Sequence, residues 1–209
     1  TDSYKSRARV LSSEKNFSNR LDFIESLNIN LEISSLNSSN MARTFELFTK
    51  TNQFNTTTVR YTESELYDVQ NALTSKVLCI STKDKFSPNY EGTSCLVMSK
   101  IDSDLVIENF VMSCRVMGRD IEKAILASII DAAKKSDFKR LVGKFRPSDK
   151  NMPVSEMYKD NDFVLMDGEF VFDLQKGCDN EILQIINVNI LGDIKASNKN
   201  TIDTTNDQT

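Results

Sequence analysis

The 209-residue chain contains no histidine. That absence excludes Ser-His and Cys-His nucleophile pairs, histidine general bases and every metal site that needs imidazole. The four cysteines, Cys79, Cys95, Cys114 and Cys178, form no C-x-x-C pair, and three of them lie in apolar runs. Reduced thiols are therefore expected, with neither a disulfide framework nor a zinc cluster, and a reducing cytoplasm fits this pattern.

Long apolar runs are also missing. No stretch approaches the roughly 20 residues of a membrane span, and the polar residues 1–5 lack the apolar core of a signal peptide. We therefore expect a soluble cytoplasmic protein with no membrane partner. The net charge of −4 argues against a nucleic-acid partner, although positions 134–150 carry seven basic and two acidic residues. This basic stretch is either a docking surface or a solvated helix end and loop.

The order of elements predicts one α/β domain with a mixed sheet flanked by helices. Helices are predicted over 19–27, from Met41, and from Thr62, where Thr62 and Glu65 form a capping box. Predicted strands cover 31–33, 76–81, 93–99, 105–113, 139–145, 163–166 and 170–174. The turn-rich segment 87–92 is expected to connect two of them. Short connections favour a mostly antiparallel sheet.

The second half of the chain adds a crossover. An apolar stripe from Ile121 to Ala132 predicts a helix, and the strand after it should run parallel to its neighbour. Pro147 and Pro153 are expected to frame a short helix that reaches Tyr158. Asp167-Gly168 predicts a tight hairpin. The run 182–190 fits a strand or a helix, and the polar segment 192–209 reads as a disordered tail.

The junction Ser113–Asp120 is the main functional clue. A strand that ends in Arg-x-x-Gly and opens a helix directs backbone N–H groups and a positive helix end at the space beyond the turn. Arg115, Gly118 and Arg119 are therefore candidates to hold phosphate. The alternative is a strand-to-helix turn that needs a glycine and carries two exposed arginines.

This order of elements resembles the GCN5-related N-acetyltransferase (GNAT) fold. The loop Arg115-Val116-Met117-Gly118-Arg119-Asp120 is similar to the pyrophosphate loop of that superfamily, and Asn151 with Tyr158 before Phe163 is similar to its later helix. The resemblance implies that this loop and Asn151 bind the cofactor.

A narrower resemblance covers about residues 23–163 and concerns the C-terminal acyltransferase-like domain of FkbH-like proteins. It is carried by Ala42-Arg43-x-x-Glu46-Leu47-x-x-Lys50-Thr51-Asn52-Gln53-Phe54-Asn55-x-Thr57-x-x-Arg60-Tyr61-Thr62-Glu63, by Met112–Arg119, and by Pro147-x-x-Lys150-Asn151. The family implies acyl transfer, of a glyceryl unit in polyketide pathways, to or from the phosphopantetheine thiol of an acyl carrier protein. A phosphatase half of the HAD type is expected upstream or on another chain.

Two departures from these patterns matter. Asp120 stands where the loop usually has Gly or Ala; it should cap the following helix, but it would repel a pyrophosphate. A carrier-borne phosphopantetheine thioester is therefore favoured over coenzyme A. The Asp-x-Asp nucleophile of the phosphatase half is missing, so no phosphatase activity is expected. We divide the chain into a linker with a short helix (1–30), the acyltransferase-like domain (31–191) and the tail (192–209).

Three residues are candidates for catalysis. Cys114 could carry an acyl group, because a helix N-terminus and neighbouring arginines would favour its thiolate; otherwise it is a buried strand end. If its strand is regular, Glu108 shares a face with Val106, Phe110 and Met112 and could be a general base; otherwise it faces solvent. Tyr158 could protonate a thiolate, as the superfamily's tyrosine does, or pack against Val154.

The loop between the first helices carries the candidate substrate ligands Asn52, Gln53, Asn55 and Arg60. In the GNAT fold this loop faces the acceptor, whereas the alternative is a polar loop that caps itself. The sequence thus predicts an acyltransferase. A non-catalytic docking module for a carrier protein and a stand-alone amine N-acetyltransferase are the alternatives.

Overall fold

The computed structural model describes residues 14–15, 17–177 and 180–192. Within these residues, eight strands form one sheet in the order β6-β7-β5-β4-β3-β2-β1-β8. The strands are β1 (Asn30–Ser35), β2 (Ser75–Asp84), β3 (Ser87–Ile101), β4 (Asp104–Met112), β5 (Arg140–Gly143), β6 (Val164–Met166), β7 (Glu169–Asp173) and β8 (Asn187–Leu191). The helices are α1 (Arg20–Ser26), α2 (Met41–Lys50), α3 (Glu63–Asn71), α4 (Ile121–Lys134) and α5 (Ile182–Ile185). Cys178 and, beyond Gly192, the predicted tail lie outside the described residues.

The sheet topology agrees with the predicted order of elements. Strands β1 to β4 pair antiparallel in succession. Strand β5 pairs parallel to β4, because the crossover through α4 returns the chain to the same end of the sheet. Helix α4 buries Ile121, Ile125 and Ile129 on the predicted stripe. The predicted mixed, mostly antiparallel sheet is confirmed.

Two local signals form as their residues predict. At the start of α3 the Glu65 N–H donates to Thr62 Oγ1 (3.2 Å), and the Thr62 N–H donates to Glu65 Oε2 (2.8 Å), which completes the capping box. Asp167 and Gly168 both have positive φ, 51° and 84°. This geometry is that of the tight turn that joins β6 to β7.

Two segments differ from the prediction, and the structure assigns a third that the sequence left open. Residues 87–92 belong to β3 and do not form the connecting turn, because Asp84 Oδ1 accepts from the N–H groups of Phe86 (2.8 Å) and Ser87 (2.9 Å) and tightens the turn at 85–86. The predicted short helix before Tyr158 is replaced by 3₁₀ turns over Met152–Val154 and Lys159–Asn161. The undecided run 182–190 forms α5 and then β8, which pairs parallel to β1.

Two helical layers cover the sheet. On one face, the main core joins Ile24 of α1, Ile125 of α4 and Ile182 of α5 to the strands. On the other, Leu47 of α2 and Leu66 of α3 pack on a second cluster. We refer to these as the α4 face and the α2/α3 face. They define the two directions from which ligands can approach the sheet.

Candidate active site

Strands β4 and β5 part halfway along β4. They pair over four positions, from Asp104 opposite Arg140 to Ile107 opposite Gly143. The Lys144 N–H still donates to the Ile107 carbonyl (3.1 Å). Beyond that point β4 runs on to Met112 without β5 beside it. A gap therefore opens between two parallel strands in the middle of the sheet.

The chain itself fills this gap with residues Phe54–Thr57, which we call the inserted segment. The Thr56 N–H donates to the Phe110 carbonyl (3.0 Å), and the Met112 N–H donates to the Phe54 carbonyl (3.0 Å). Asn55 lies opposite Val111 in an antiparallel bridge. The inserted segment thus acts as a short strand along the free half of β4.

Hydrogen bonds also hold the other side of the inserted segment. The Arg146 N–H donates to the Thr56 carbonyl (2.8 Å), and Asn151 Nδ2 donates to the carbonyls of Asn55 and Arg146 (2.9 Å each). Buried Asn109 of β4 accepts from the Thr57 N–H (3.3 Å) and donates to the Val59 carbonyl (3.1 Å). The gap is consequently closed by hydrogen bonds on both sides of the inserted segment.

Two cavities flank the inserted segment. The α4-side cavity has about 180 Å³ and is lined by Phe54, Met112, Met117, Gly118, Glu122, Lys123, Pro153, Val154, Glu156, Met157, Asp160 and Asn161. The loop-side cavity has about 300 Å³ and is lined by Thr51, Asn52, Asn55, Thr58, Arg60, Ser148, Asp149 and Lys150. Phe54 faces the first and Asn55 the second, because neighbouring side chains of an extended segment point to opposite sides. A single extended segment therefore separates the two cavities.

The two arginines of the Ser113–Asp120 loop face the β2–β3 hairpin. Arg115 pairs with Glu91, and buried Arg119 pairs with buried Asp84 and donates to the Arg115 carbonyl (3.0 Å). Their guanidinium groups already have carboxylate partners. The pairing differs from the two exposed arginines of the alternative, and phosphate binding by Arg115 and Arg119 stays a prediction.

The end of the loop also differs from expectation. Asp120 has φ 54° and makes no side-chain hydrogen bond that caps α4, so the predicted cap is wrong. Its carboxylate instead accepts from Arg20 Nη2 (2.6 Å) and Nε (3.3 Å), and Arg20 Nη2 also donates to the Gly118 carbonyl (3.2 Å). Helix α1, a hundred residues earlier in the chain, thus holds this loop in place.

The remaining residues of the predicted cofactor loop lie in different environments. Val116 is buried in the main core. Met117 and Gly118 line the α4-side cavity. Gly118 has φ +78° and open space where a Cβ would stand. A left-handed backbone is the reason for glycine here, since no side chain blocks the position.

Asn151, the other predicted cofactor ligand, is completely buried. Its Nδ2 binds the inserted segment as described, and its Oδ1 accepts from the Ser148 N–H (2.7 Å). The side chain thereby joins the turn at 148–151 to the inserted segment. Its polar atoms hold the chain's own backbone.

Cys114 stands in a 3₁₀ turn, Cys114–Val116, and is partly buried. Helix α4 begins only at Ile121, so the thiol is not at the helix N-terminus. Arg115 and Arg119 are paired with carboxylates. The thiol therefore stands apart from the start of α4, and both neighbouring arginines face carboxylates. Cys79 and Cys95 are buried and free, and burial raises the pKa of the Cys95 thiol.

Glu108 is the extra residue of a bulge. Asn109 pairs with Val97 and Ile107 with Met98, so Glu108 has no partner of its own on β3. Phe110 and Met112 consequently turn to the α4 face, away from Glu108, and the condition of a regular strand fails. Glu108 accepts from Lys144 Nζ (2.7 Å) and from the Ser99 hydroxyl. It is an ion-paired carboxylate that faces the other side of the sheet from α4.

Tyr158 lies in the main core beside the gap. Its ring stacks on Phe170 at 5.3 Å between centroids and rests on Gly143, where an added Cβ would come within 2.3 Å of Tyr158 Cε1. Its hydroxyl lies beside Thr56 of the inserted segment, and burial raises the pKa of the phenol. Tyr158 thus lies against Gly143 at the end of β5, where the gap between β4 and β5 opens.

The predicted substrate ligands converge in part. Asn52, Asn55 and Arg60 line the loop-side cavity together with Lys150. Arg60 donates to Asn52 Oδ1 (2.6 Å) and to the Phe48 carbonyl (3.2 Å), so the loop also caps the end of α2. Gln53 is exposed and is not among the lining residues. Whether any of these residues contacts a substrate stays a prediction.

Sequence reasoning missed Glu122, in the first turn of α4. Glu122 lines the α4-side cavity, and its Oε2 is buried without a hydrogen-bond partner among the described residues. Burial, with a smaller contribution from the Asp120 charge, raises the pKa of Glu122 to about 7. The sequence signal that could have identified Glu122 is its position in the first turn of an amphipathic helix, among residues that face the core. A carboxyl there is costly to bury unless it is protonated or has a partner.

Two further properties bear on ligands. In the part of the chain that the structure describes, no helix is long and apolar enough to cross a membrane, and no cluster of three or more His, Cys, Asp or Glu side chains could hold a metal ion. The basic stretch at 134–150 is divided by β5. Lys135 pairs with Asp131 (2.6 Å), Arg140 with Asp104, and Lys144 with Glu108. Three of the seven basic side chains of this stretch are therefore ion-paired.

Comparison with solved structures identifies the fold. The ribosomal-protein-S18-alanine N-acetyltransferase from Escherichia coli matches with TM-score 0.50 and 13% identity, over 72% of this chain and 97% of that chain. The spermidine N-acetyltransferase from Vibrio cholerae, in complex with CoA and spermine, matches with TM-score 0.53 and 10% identity over 70% and 96%. The aminoglycoside acetyltransferase AAC(6')-Ib, in complex with coenzyme A, matches with TM-score 0.53 and 10% identity over 69% and 95%.

The chain therefore has the fold of the GNAT acetyltransferases, as the order of its elements predicts. No protein-family model and no curated protein matches it. At these identities the likeness shows the fold alone, so the activity must be argued from the site.

Proposed function

We propose that the chain is an acyltransferase domain that works on a pantetheine thioester. One observation carries the proposal: β4 and β5 diverge in the middle of the sheet, with a cavity on each face of the divergence. A donor arm and an acceptor could thus meet from opposite faces. The fold supports this function, because its structural neighbours include acetyltransferases in complex with coenzyme A.

In this proposal the donor arm enters the α4-side cavity and displaces the inserted segment from β4. The backbone groups of Phe110 and Met112 lose their bonds to Thr56 and Phe54, and the amides of a pantetheine arm can replace them. The acceptor binds in the loop-side cavity, whose eight lining residues are all polar. Moving the inserted segment joins the two cavities.

The chemistry is a direct acyl transfer. The acceptor attacks the thioester carbonyl, the tetrahedral intermediate collapses, and the carbon–sulfur bond breaks. Tyr158, beside the gap, gives its proton to the leaving thiolate, and the acceptor's proton passes to a base, for which Glu108 is the candidate. A covalent relay is the alternative route: the Cys114 thiol takes the acyl group from the donor thioester, and the acceptor then takes it from Cys114.

The resemblance to FkbH-like proteins supports a finer proposal. The donor or acceptor thiol would belong to an acyl carrier protein, the acyl group would be of the glyceryl type, and a phosphatase half of the HAD type would act with this domain. Asp120 favours a phosphopantetheine arm held on a carrier protein over free coenzyme A. Its carboxylate stands at the loop that would face the diphosphate of coenzyme A, and the two negative charges would repel each other.

A non-catalytic docking module for a carrier protein is the second candidate. The observation that favours it is the hydrogen-bonded closure of the gap, with bonds to β4 on one side and to Arg146 and Asn151 on the other. Such a domain would bind the carrier without admitting its arm. The two candidates differ in whether transfer occurs at all.

The test is to incubate the chain separately with acetyl-CoA and with an acyl-loaded carrier protein, and to measure binding, acyl transfer and intact mass. Tyr158→Phe should lower transfer while carrier binding persists, and exposed Tyr67→Phe is the matched control. Carrier binding without transfer in the wild type would favour docking. A mass adduct that Cys114→Ala removes would establish the covalent relay. Binding of neither donor would refute the proposed function.

A further inference from the structure

The α4-side cavity carries an excess of negative charge. Its charged lining residues are Glu122, Glu156, Asp160 and Lys123. Lys123 Nζ also lies 3.8 Å from the Asp120 carboxylate, which offsets its charge. Apolar side chains, among them Met112 and Met117, make up much of the remaining wall. A cavity of this kind suits an uncharged chain better than a phosphate.

Positive charge near this cavity is already used. Arg115 and Arg119 turn to Glu91 and Asp84 on the β2–β3 hairpin, and Arg20 binds Asp120. The positive end of α4 already faces Asp120 and Glu122, in its first turn. A diphosphate placed at this helix end would therefore meet the Glu122 carboxyl beside an Asp120 that is already paired with Arg20.

Within the described residues, Glu122 also lacks a hydrogen-bond donor for its carboxyl oxygen Oε2, and a ligand could supply one. Its Oε2 is buried and accepts no hydrogen bond from the described residues, which is unusual for a buried carboxyl oxygen. An amide N–H or a hydroxyl in the cavity would satisfy it. The pantetheine arm carries such groups along an uncharged chain.

We propose that Glu122 determines donor specificity: the α4-side cavity accepts the uncharged, amide-bearing part of a pantetheine arm and rejects the diphosphate of free coenzyme A. This inference rests on the proposed function and narrows it. The donor is then an arm held on a carrier, with its single phosphate outside the cavity. Glu122 acts by hydrogen bonding to the arm and by repelling a second phosphate.

The experiment is a titration of the full chain, labelled with ¹³C at the methionine methyl groups, with acetyl-pantetheine, acetyl-phosphopantetheine and acetyl-CoA. Met112 and Met117 line the cavity and report entry directly, even at millimolar affinity. Measurements at pH 8 keep Glu122 mostly ionised, because its pKa is about 7 with Asp120, Lys123 and Arg20 nearby. Glu122→Gln is the test variant, and Glu63→Gln, exposed on α3 at the opposite face of the sheet, is the control.

In the wild type we expect acetyl-pantetheine to bind at least about tenfold more tightly than acetyl-CoA. Glu122→Gln should reduce this ratio to within about threefold, and Glu63→Gln should leave it nearly unchanged. Equal or tighter binding of acetyl-CoA by the wild type, or an unchanged ratio in Glu122→Gln, would overturn the inference and leave the proposed function standing. If none of the three thioesters shifts Met112 or Met117, no arm enters the cavity, and both proposals fail.

Discussion

Replacing Glu122 by glutamine should change how the stability of the protein depends on pH. Burial raises the pKa of Glu122 in the folded protein from 4.5 to about 7. A carboxyl whose folded pKa lies above its unfolded value favours folding while it is protonated. That stabilisation is fully present below pH 4.5 and is lost as the pH rises through 7. Glutamine has the same shape and never ionises, so the variant should not show this loss.

The magnitude follows from the pKa difference. A rise from 4.5 to about 7, at ~1.4 kcal/mol per pH unit, gives about 3 kcal/mol. At pH 5 most of the stabilisation by protonated Glu122 is still present, so ionisation of Glu122 should add little to the difference in free energy of unfolding between the two proteins. At pH 8 the Glu122→Gln variant should gain up to about 3 kcal/mol relative to the wild type, or ~6–12 °C in Tm for a chain of this length.

Chemical and thermal denaturation at pH 5 and pH 8 measure this effect. The quantity of interest is the difference in free energy of unfolding between variant and wild type, because contributions from other titrating groups cancel in it. Glu46, whose ion pairs with Lys50 and Arg43 lower its pKa to about 2, titrates mainly below this range. Glu156→Gln is the control. A stability difference that stays constant from pH 5 to pH 8 would refute the assigned environment of Glu122.

Three further substitutions test the architecture around the site. Asp84→Ala should lower the free energy of unfolding by about 3–5 kcal/mol, because it removes the carboxylate that pairs with the buried Arg119 guanidinium. Urea denaturation measures this loss, and a loss below about 1 kcal/mol would contradict the ion pair. Gly143→Ala should lower the free energy of unfolding by about 1–3 kcal/mol or more in the same assay, because the alanine Cβ would stand 2.3 Å from the Tyr158 ring. Unchanged stability would show that the ring does not pack on Gly143. Asn109→Ala removes the side chain that binds the backbone of Thr57 and Val59. Hydrogen exchange at residues 54–59 should therefore accelerate, while exchange in α4 stays the same. Equal protection of 54–59 in variant and wild type would show that Asn109 does not hold the inserted segment.

Local sequence signals predicted much of the fold. The capping box at Thr62 and the hairpin at Asp167-Gly168 depend on a few adjacent residues, and both form as expected. The apolar stripe of α4 identifies a helix and the face that it buries, and the helix between two strands implies their parallel pairing. Short connections between the strands before it made the antiparallel meander a direct expectation.

Two errors arose where a side chain formed a hydrogen bond that the residue types around it do not predict. The segment 87–92 contains Pro, Asn and Gly, yet the carboxylate of Asp84 takes over the turn and leaves these residues in β3. At Asp120 the residue type suits a helix cap, but Arg20 binds the carboxylate and the backbone adopts a left-handed conformation. In both cases a specific hydrogen bond outweighs a statistical preference of the residue type.

What the sequence by itself determined is the order of the elements, the buried stripe of α4, and the loops that carry the polar and charged candidates. These depend on periodicity and on short-range hydrogen bonding. Only the tertiary structure decided that Arg119 turns inward to Asp84, that a bulge separates Glu108 from Phe110, and that residues 54–57 enter the gap between β4 and β5. Each of these outcomes joins positions that are distant in the chain or depends on the register of a neighbouring strand. The chain forms those contacts that bury apolar side chains and leave the fewest polar groups without a hydrogen bond. Which contacts these are depends on the whole assembled sheet.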